Sequence, residues 1–376
     1  MTGVTTTINN NITDREVVHP FSRNGAITLA VFLIPMAVFG IFANLVTIIV
    51  ITRSKKLSGS VFNRLIVSLC VSDLLSAIIS PLSLHRRASG YDDWIIPEFF
   101  CKVFWSVDNW TSFVTSLHIL IFAGIRMASI KSPTYYQKIK IKHVKIGVAI
   151  IWFITFGCGF IPMWLWFGVK AADRPVNGHG TNWPDCTLYF VSIDDFKLYT
   201  KIAYTVFYYI PMVAISILSP AIAIFIINKR RERAERRNSE GPAPDSKRTT
   251  SEYEKKSQRK ENSAILQLGV IVGSFMLGYI PSSAYYLYAT AAPQSTLQEQ
   301  IFHWNFGSVS YILLRLSECL NPIFYNAASS KMRKETITFL KTLLKCCMPG
   351  GCRPRTTATV DVTSSTSNIR TQEIEL

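Results

Sequence analysis

Asn321-Pro322-Ile323-Phe324-Tyr325 closes the last apolar stretch of the chain and is followed by Lys331, Arg333 and Lys334. Proline costs about 3 kcal/mol inside a helix, so it persists there only where the freed carbonyl is otherwise satisfied and the kink is useful. An amide one residue before this proline and a phenol three residues after it set polar groups beside the break, at the edge of a membrane. That is the sequence of a movable helix end.

The rest of the chain has the composition such a helix needs. At 376 residues, 49% hydrophobic and only 17% charged, it is too apolar and too unevenly patterned for an ordinary soluble domain. The apolar residues gather in stretches at 27–51, 61–84, 99–130, 146–168, 199–227, 264–290 and 301–326. Each exceeds the roughly 20 residues that cross a bilayer. The expected fold is therefore an all-α membrane protein, a seven-helix bundle over 27–326, after an N-terminal tail at 1–26 that lacks the apolar core of a cleavable signal.

Lys and Arg concentrate in the loops after the first, third and fifth stretches, from Arg53, Lys55 and Lys56 to the run Lys229 to Lys260. By the positive-inside rule those loops are cytoplasmic, with the N-terminus outside and the C-terminus inside. The net charge of +16 then reads as topology and attraction to the inner leaflet, not as nucleic-acid binding. The loop at 228–263 is basic and poor in large apolar residues and is expected to be disordered. An amphipathic stretch at 329–345 should lie at the interface as an eighth helix, ahead of a Ser- and Thr-rich tail at 346–376.

Cys101 and Cys186 are the two cysteines expected on the oxidising face, which makes a disulfide between them plausible. Cys346 and Cys347 beside the eighth helix are candidates for palmitoylation, and Asn11 in Asn11-Ile12-Thr13 for N-glycosylation. Asn109-Trp110-Thr111 fits the same glycosylation pattern but falls inside the third helix. Cys70, Cys158 and Cys319 read as small packing residues.

Several positions, in order, resemble the rhodopsin-like (class A) G-protein-coupled receptors over roughly 27–345. They are Asn44; Asp73; Cys101 with Arg126 25 residues later; Trp152 and Pro162; Pro211; Phe275 and Pro281; and Asn321, Pro322 and Tyr325. At 1.5 Å per residue, Cys101 and Arg126 stand about 37 Å apart along one helix, one at each membrane edge. The resemblance implies a receptor that turns extracellular ligand binding into activation of a heterotrimeric G protein at the plasma membrane, without catalysis. Arrestin and receptor kinases are further implied partners. Ile374-Glu375-Leu376 is a candidate PDZ-binding end, and membrane lipid is a partner throughout. A channel or transporter is the rival reading, weakened by the lack of an internal repeat.

The resemblance also implies that Asp73, Asn44, Thr115 and Asn321 line a water and sodium cavity; the bland alternative is a carboxylate bonded to Asn321 for packing. Arg126, Phe275, Pro281, Pro322 and Tyr325 are the implied activation residues. Departures stand out. Ile125 precedes Arg126 where the family has an acid, Tyr279 stands in Gly278-Tyr279-Ile280-Pro281 where a tryptophan is usual, and Ser219 replaces a tyrosine. The candidate ligand residues are Asp108, Arg315, Tyr279 and Trp105. Asp108, two turns below Cys101, matches the ammonium-binding aspartate of amine receptors, yet the remaining amine-site positions are Ala203, Phe207, Ser282, Ser283 and Ile312. A biogenic amine is one expected ligand; a small acid or peptide is the alternative. Arg315 in the last helix must be paired or wet. Asp108, Glu318 three residues on, or an acidic ligand helped by His85, Arg86 and Arg87 can each satisfy it.

Overall fold

The computed structural model describes residues 22–89, 94–169, 186–188, 190–239, 247–292 and 296–347. Seven long helices dominate: α1 (Arg23–Arg53), α2 (Val61–Leu84), α3 (Glu98–Lys131), α4 (Ile141–Trp166), α5 (Ile193–Glu235), α6 (Lys247–Ala291) and α7 (Leu297–Ala328). Ser330–Cys347 forms α8. A π-helical turn, His85–Ser89, continues α2, and two more interrupt α4 at Phe156–Phe160 and α5 at Thr205–Tyr209, each ending two residues before a proline, Pro162 and Pro211.

Local signals set the helix ends. Ser22 accepts the Gly25 amide at the start of α1, and Ser192 accepts that of Asp195 at the start of α5. At α7, Thr296 and Glu299 form a reciprocal capping box. The α4–α5 loop carries a two-stranded antiparallel ribbon, β1 (Phe167–Val169) with β2 (Cys186–Leu188), and a disulfide joins Cys186 to Cys101 in α3.

Among the described residues, six helices are long and apolar enough to cross a bilayer. The seventh, α7, is less apolar because it carries Arg315, Glu318 and Asn321, all buried between helices. It packs on α1, α2 and α6, completing the seven-helix bundle. Outward faces are aliphatic and aromatic: Val31, Val38, Ile150, Phe153, Leu165, Ile202 and Ile217 are all exposed. That apolar belt is the surface of a protein solvated by lipid. Cys70 and Cys319 are buried as expected of packing residues, whereas Cys158 is exposed on α4.

Two glycines permit close helix approach. A Cβ on Gly278 of α6 would run into the Ser317 side chain and lie 3.0 Å from the Leu314 Cα of α7. One on Gly40 of α1 would lie 2.9 Å from Cys319 Sγ. The interval 228–263, expected to be disordered, is instead helical through Ser239 and again from Lys247. Charged residues such as those of 247–261 have adequate helix propensity, so extension of α6 adds one hydrogen bond per residue once the membrane helix has supplied the nucleus.

Candidate functional site

The strongest constraint in the bundle is the charge on Arg315. A lone guanidinium buried among helices carries a desolvation penalty of several kcal/mol, so its surroundings must answer it. They do so twice. Arg315 Nη2 donates to Asp108 Oδ1 on α3 at 2.6 Å, and Nη1 donates to Glu318 Oε2, one turn along α7, at 2.7 Å. Ser76 of α2 donates to the same Glu318 oxygen at 2.6 Å, and the Tyr311 hydroxyl donates to Asp108 Oδ1 at 3.3 Å. The Tyr311 ring faces the guanidinium, with Cζ 4.7 Å from its centroid. The result is one polar clasp across α2, α3 and α7. Both of the intramolecular partners open to Arg315 in the sequence are used at once.

Beside the clasp, Tyr279 of α6 is fully buried. Its hydroxyl donates to the Ser112 carbonyl of α3 at 2.9 Å, and its ring stacks on Phe275 with centroids 4.2 Å apart. Tyr208 lies 5.3 Å from it, and Tyr204 and Tyr286 continue the aromatic wall. Above the clasp, Trp105 stacks on Phe167 of β1 at 4.2 Å.

One turn and more below, Asn321 donates from Nδ2 to Asp73 Oδ2 at 2.9 Å. Thr115 is within 3.1 Å of Ser72 Oγ, and Asn44 Nδ2 donates to the Gly40 carbonyl at 3.0 Å. Asp73 Oδ1, Asn44 Oδ1 and Glu318 Oε1 are buried without a hydrogen-bond partner among the described residues. A cavity of about 10 Å³, room for one water-sized occupant, is lined by Thr115, Phe275, Tyr279, Glu318 and Asn321. Unpartnered oxygens of this kind suit water or a hard cation such as sodium.

At the far end of α3, Arg126 finds a neutral partner in place of the missing neighbouring acid. Its Nη2 donates to Gln267 Oε1 on α6. The guanidinium also lies over Phe62 of α2, 4.1 Å from the ring centroid. Tyr136, in a short helix after α3, is close enough to feel it: partial burial raises the tyrosine pKa, and the Arg126 charge opposes the rise. Pro281 and Pro322 lie inside α6 and α7, and Tyr325 is fully buried with its hydroxyl unpartnered among the described residues.

A family model described as "7 transmembrane receptor (rhodopsin family)" matches residues 43–325, about three quarters of the chain. The chain belongs to that family. Among its relatives is the growth hormone secretagogue receptor type 1 of Oryctolagus cuniculus, 26% identical over 80% of this chain and 77% of the relative. The Homo sapiens receptor of that name is 25% identical over the same shares. The alpha-1A adrenergic receptor of Bos taurus is 22% identical over 84% of this chain and 68% of the relative. The protein is thus a rhodopsin-like G-protein-coupled receptor, a multi-pass membrane protein.

Within this receptor, Ser76, Tyr311 and Gln267 escaped the sequence reading, since nothing in a linear pattern pairs a serine of α2 with a glutamate 242 residues away. Tyr311 had a weak signal, being four residues before Arg315 on the same helix face. Asn109 is buried in α3, donating to the Gly159 carbonyl and accepting from Tyr204. Asn11 and the terminal Ile374-Glu375-Leu376 lie outside the described residues, as do the side chains of Cys346 and Cys347.

Proposed function

We propose that this receptor answers an extracellular ligand bearing an anionic group, and that Asp108 is an internal counter-ion and not an amine anchor. The Arg315–Asp108 contact of 2.6 Å carries the reading. A ligand ammonium on Asp108 would have to displace a guanidinium that lies in the same buried site and is bonded to Glu318 as well. Relatives named for an adrenergic and for a secretagogue role leave the ligand class open, and the clasp supports the reading against an amine on Asp108. Ligand contact in the outer half of the bundle, near Trp105 and Tyr279, would be felt by the clasp and passed along α3, α6 and α7 to the cytoplasmic end.

In this scheme Asp73, Asn44, Thr115 and Asn321 would hold water or a sodium ion, Thr115 and Asn321 as walls of the small inner cavity and Asp73 through its bond to Asn321. Sodium would supply a fixed positive charge among acceptor oxygens and favour one arrangement of the helices. Phe275, Pro281, Pro322 and Tyr325 would carry the movement, and Arg126 would meet the G protein once freed from Gln267. The receptor sits in the plasma membrane with its N-terminus outside and has no catalysis of its own. Glycosylation at Asn11, acylation at Cys346 and Cys347, and later engagement of receptor kinases, arrestin and a PDZ domain complete the proposal.

Cells expressing the receptor, screened with amines, small carboxylates and peptides against a broad G-protein readout, test it. Activation by a carboxylate or an acidic peptide is the expected result. Activation by an amine that Asp108→Asn abolishes, at equal surface expression, would overturn the counter-ion role.

A further inference from the structure

The outer end of α2 and the facing turns of α3 and α7 hold a second polar constellation, apart from the clasp. Arg86 and Arg87 are consecutive on the π-helical turn, and both reach the indole of Trp304 on α7, with Cζ 5.4 and 5.0 Å from the ring centroid. Arg86 also lies 4.8 Å from the centroid of Trp105 and donates from Nε to the Cys186 carbonyl of β2 at 2.9 Å. Arg86 therefore bridges the two indoles, and Arg87 joins it on Trp304.

Arg87 is only 8% exposed, and its Nη1 is engaged by the Trp304 carbonyl at 3.2 Å and Ser308 Oγ at 3.0 Å. These are neutral acceptors. Among the described residues no carboxylate forms an ion pair with it. Its Nε is buried with no hydrogen-bond partner among those residues, and so is Nε1 of Trp105. Indole N–H and guanidinium Nε–H are donors only, so each can be satisfied only by an acceptor. A buried donor left unmade is costly, and two such donors beside the Arg87 charge describe a place shaped for an anion.

We infer that Arg87 and Trp105, beside Arg86 and the Trp304 ring, form the subsite that receives the ligand's carboxylate. The guanidinium Nε of Arg87 supplies the charge and one donor to the carboxylate oxygens, and the Trp105 N–H supplies a second donor. This deepens the anionic-ligand reading and rests on it. A free aromatic acid and the C-terminal carboxylate of a peptide share this chemistry.

The test uses the full-length receptor purified into lipid nanodiscs at constant ionic strength. Two probe pairs are compared by thermal shift and tryptophan fluorescence: N-acetyl-phenylalanine against its amide, and a short peptide ending in phenylalanine with a free against an amidated C-terminus. The site predicts stabilisation by the acid and little by the amide. Acid binding should weaken by about tenfold or more in Arg87→Gln, the loss expected of a charge-assisted hydrogen bond. Arg87→Lys should keep part of it. Trp105→Phe keeps a ring and removes the N–H, and should weaken the acid several-fold without changing the amide. Discrimination in the peptide pair alone assigns the site to a peptide terminus; discrimination in both assigns it to the carboxylate itself.

Equal effects of acid and amide in both pairs would overturn the site, and so would acid binding indifferent to Arg87→Gln and Trp105→Phe. If Arg87→Gln fails to fold, the acid and amide comparison on the unaltered receptor and the Trp105→Phe variant still decide. Nucleotide exchange on an added G protein is read separately. Failure of every acidic ligand to drive exchange counts against the anionic-ligand reading, whereas loss of acid-over-amide discrimination counts against this subsite.

Discussion

Arg315 is held by two carboxylates at once, and this changes what single substitutions should do. Removing one partner of a buried pair costs about 3–5 kcal/mol when the other charge is stranded. Here Asp108→Asn leaves Arg315 on Glu318 and should be the milder change, while Arg315→Gln strands Asp108 and Glu318 together and should be the harsher. Surface expression and detergent melting temperature of the two variants check that order. A charge swap, Asp108→Arg with Arg315→Asp, sets the new aspartate one turn from Glu318, where two acids would share a buried site. Rescue should therefore need Glu318→Gln as well. A double-mutant cycle between Asp108 and Arg315 should give a coupling of about 0.5–3 kcal/mol; a value near zero would remove the interhelical contact and return Asp108 to the amine reading.

At the scale of helices, specific bonds tie α6 to α3, α5 and α7, and each is a lever on its position. Arg126 of α3 donates to Gln267 of α6, a charged to neutral bond in place of an ion pair. It lacks the acid that would restrain Arg126 from within α3, so ligand-independent signalling should be measurable. Gln267→Ala should raise basal nucleotide exchange at equal surface expression, and Ile125→Asp should lower it by giving Arg126 a carboxylate on its own helix. Unchanged exchange in both would show that Arg126 does not set the resting balance. Higher on α6, Gly278 lets the helix approach α7, and the Leu314 backbone, 3.0 Å from where a methyl would sit, has nowhere to move. Gly278→Ala should destabilise by about 1–3 kcal/mol through overpacking, read as a lower melting temperature with the Ser274 to Ser317 bond between the same helices disturbed.

For the molecule as a whole, the Cys101–Cys186 bridge spans 85 residues of sequence and ties the α4–α5 ribbon to the top of α3. Loss of a native disulfide typically costs about 2–5 kcal/mol. Cys101→Ser or Cys186→Ser should accordingly lower surface expression, and should also blunt any response through Arg86, which is bonded to the Cys186 carbonyl. Mass spectrometry of the non-reduced protein, finding both thiols free, would sink that expectation. The existence and order of the helices were legible in the sequence because bilayer thickness imposes a length, and lipid imposes an apolar exterior, on any spanning segment. The Asn321-Pro322 run, Asp73 and Arg126 were legible for the same reason: a proline or a charge in such a segment stands out against its surroundings. The extent of α5 and α6 beyond the membrane was not, since polar residues at 228–263 serve a solvated helix as well as a loop. By itself the sequence determined that Arg315 needs a partner. Only the tertiary structure decided that Asp108 and Glu318 share it, that Ser76 bonds Glu318, and that Gln267 stands in for the missing acid beside Arg126. The cost of a buried charge is a property of one residue, but its relief depends on which helix faces meet, and that is settled by packing of segments far apart in the chain.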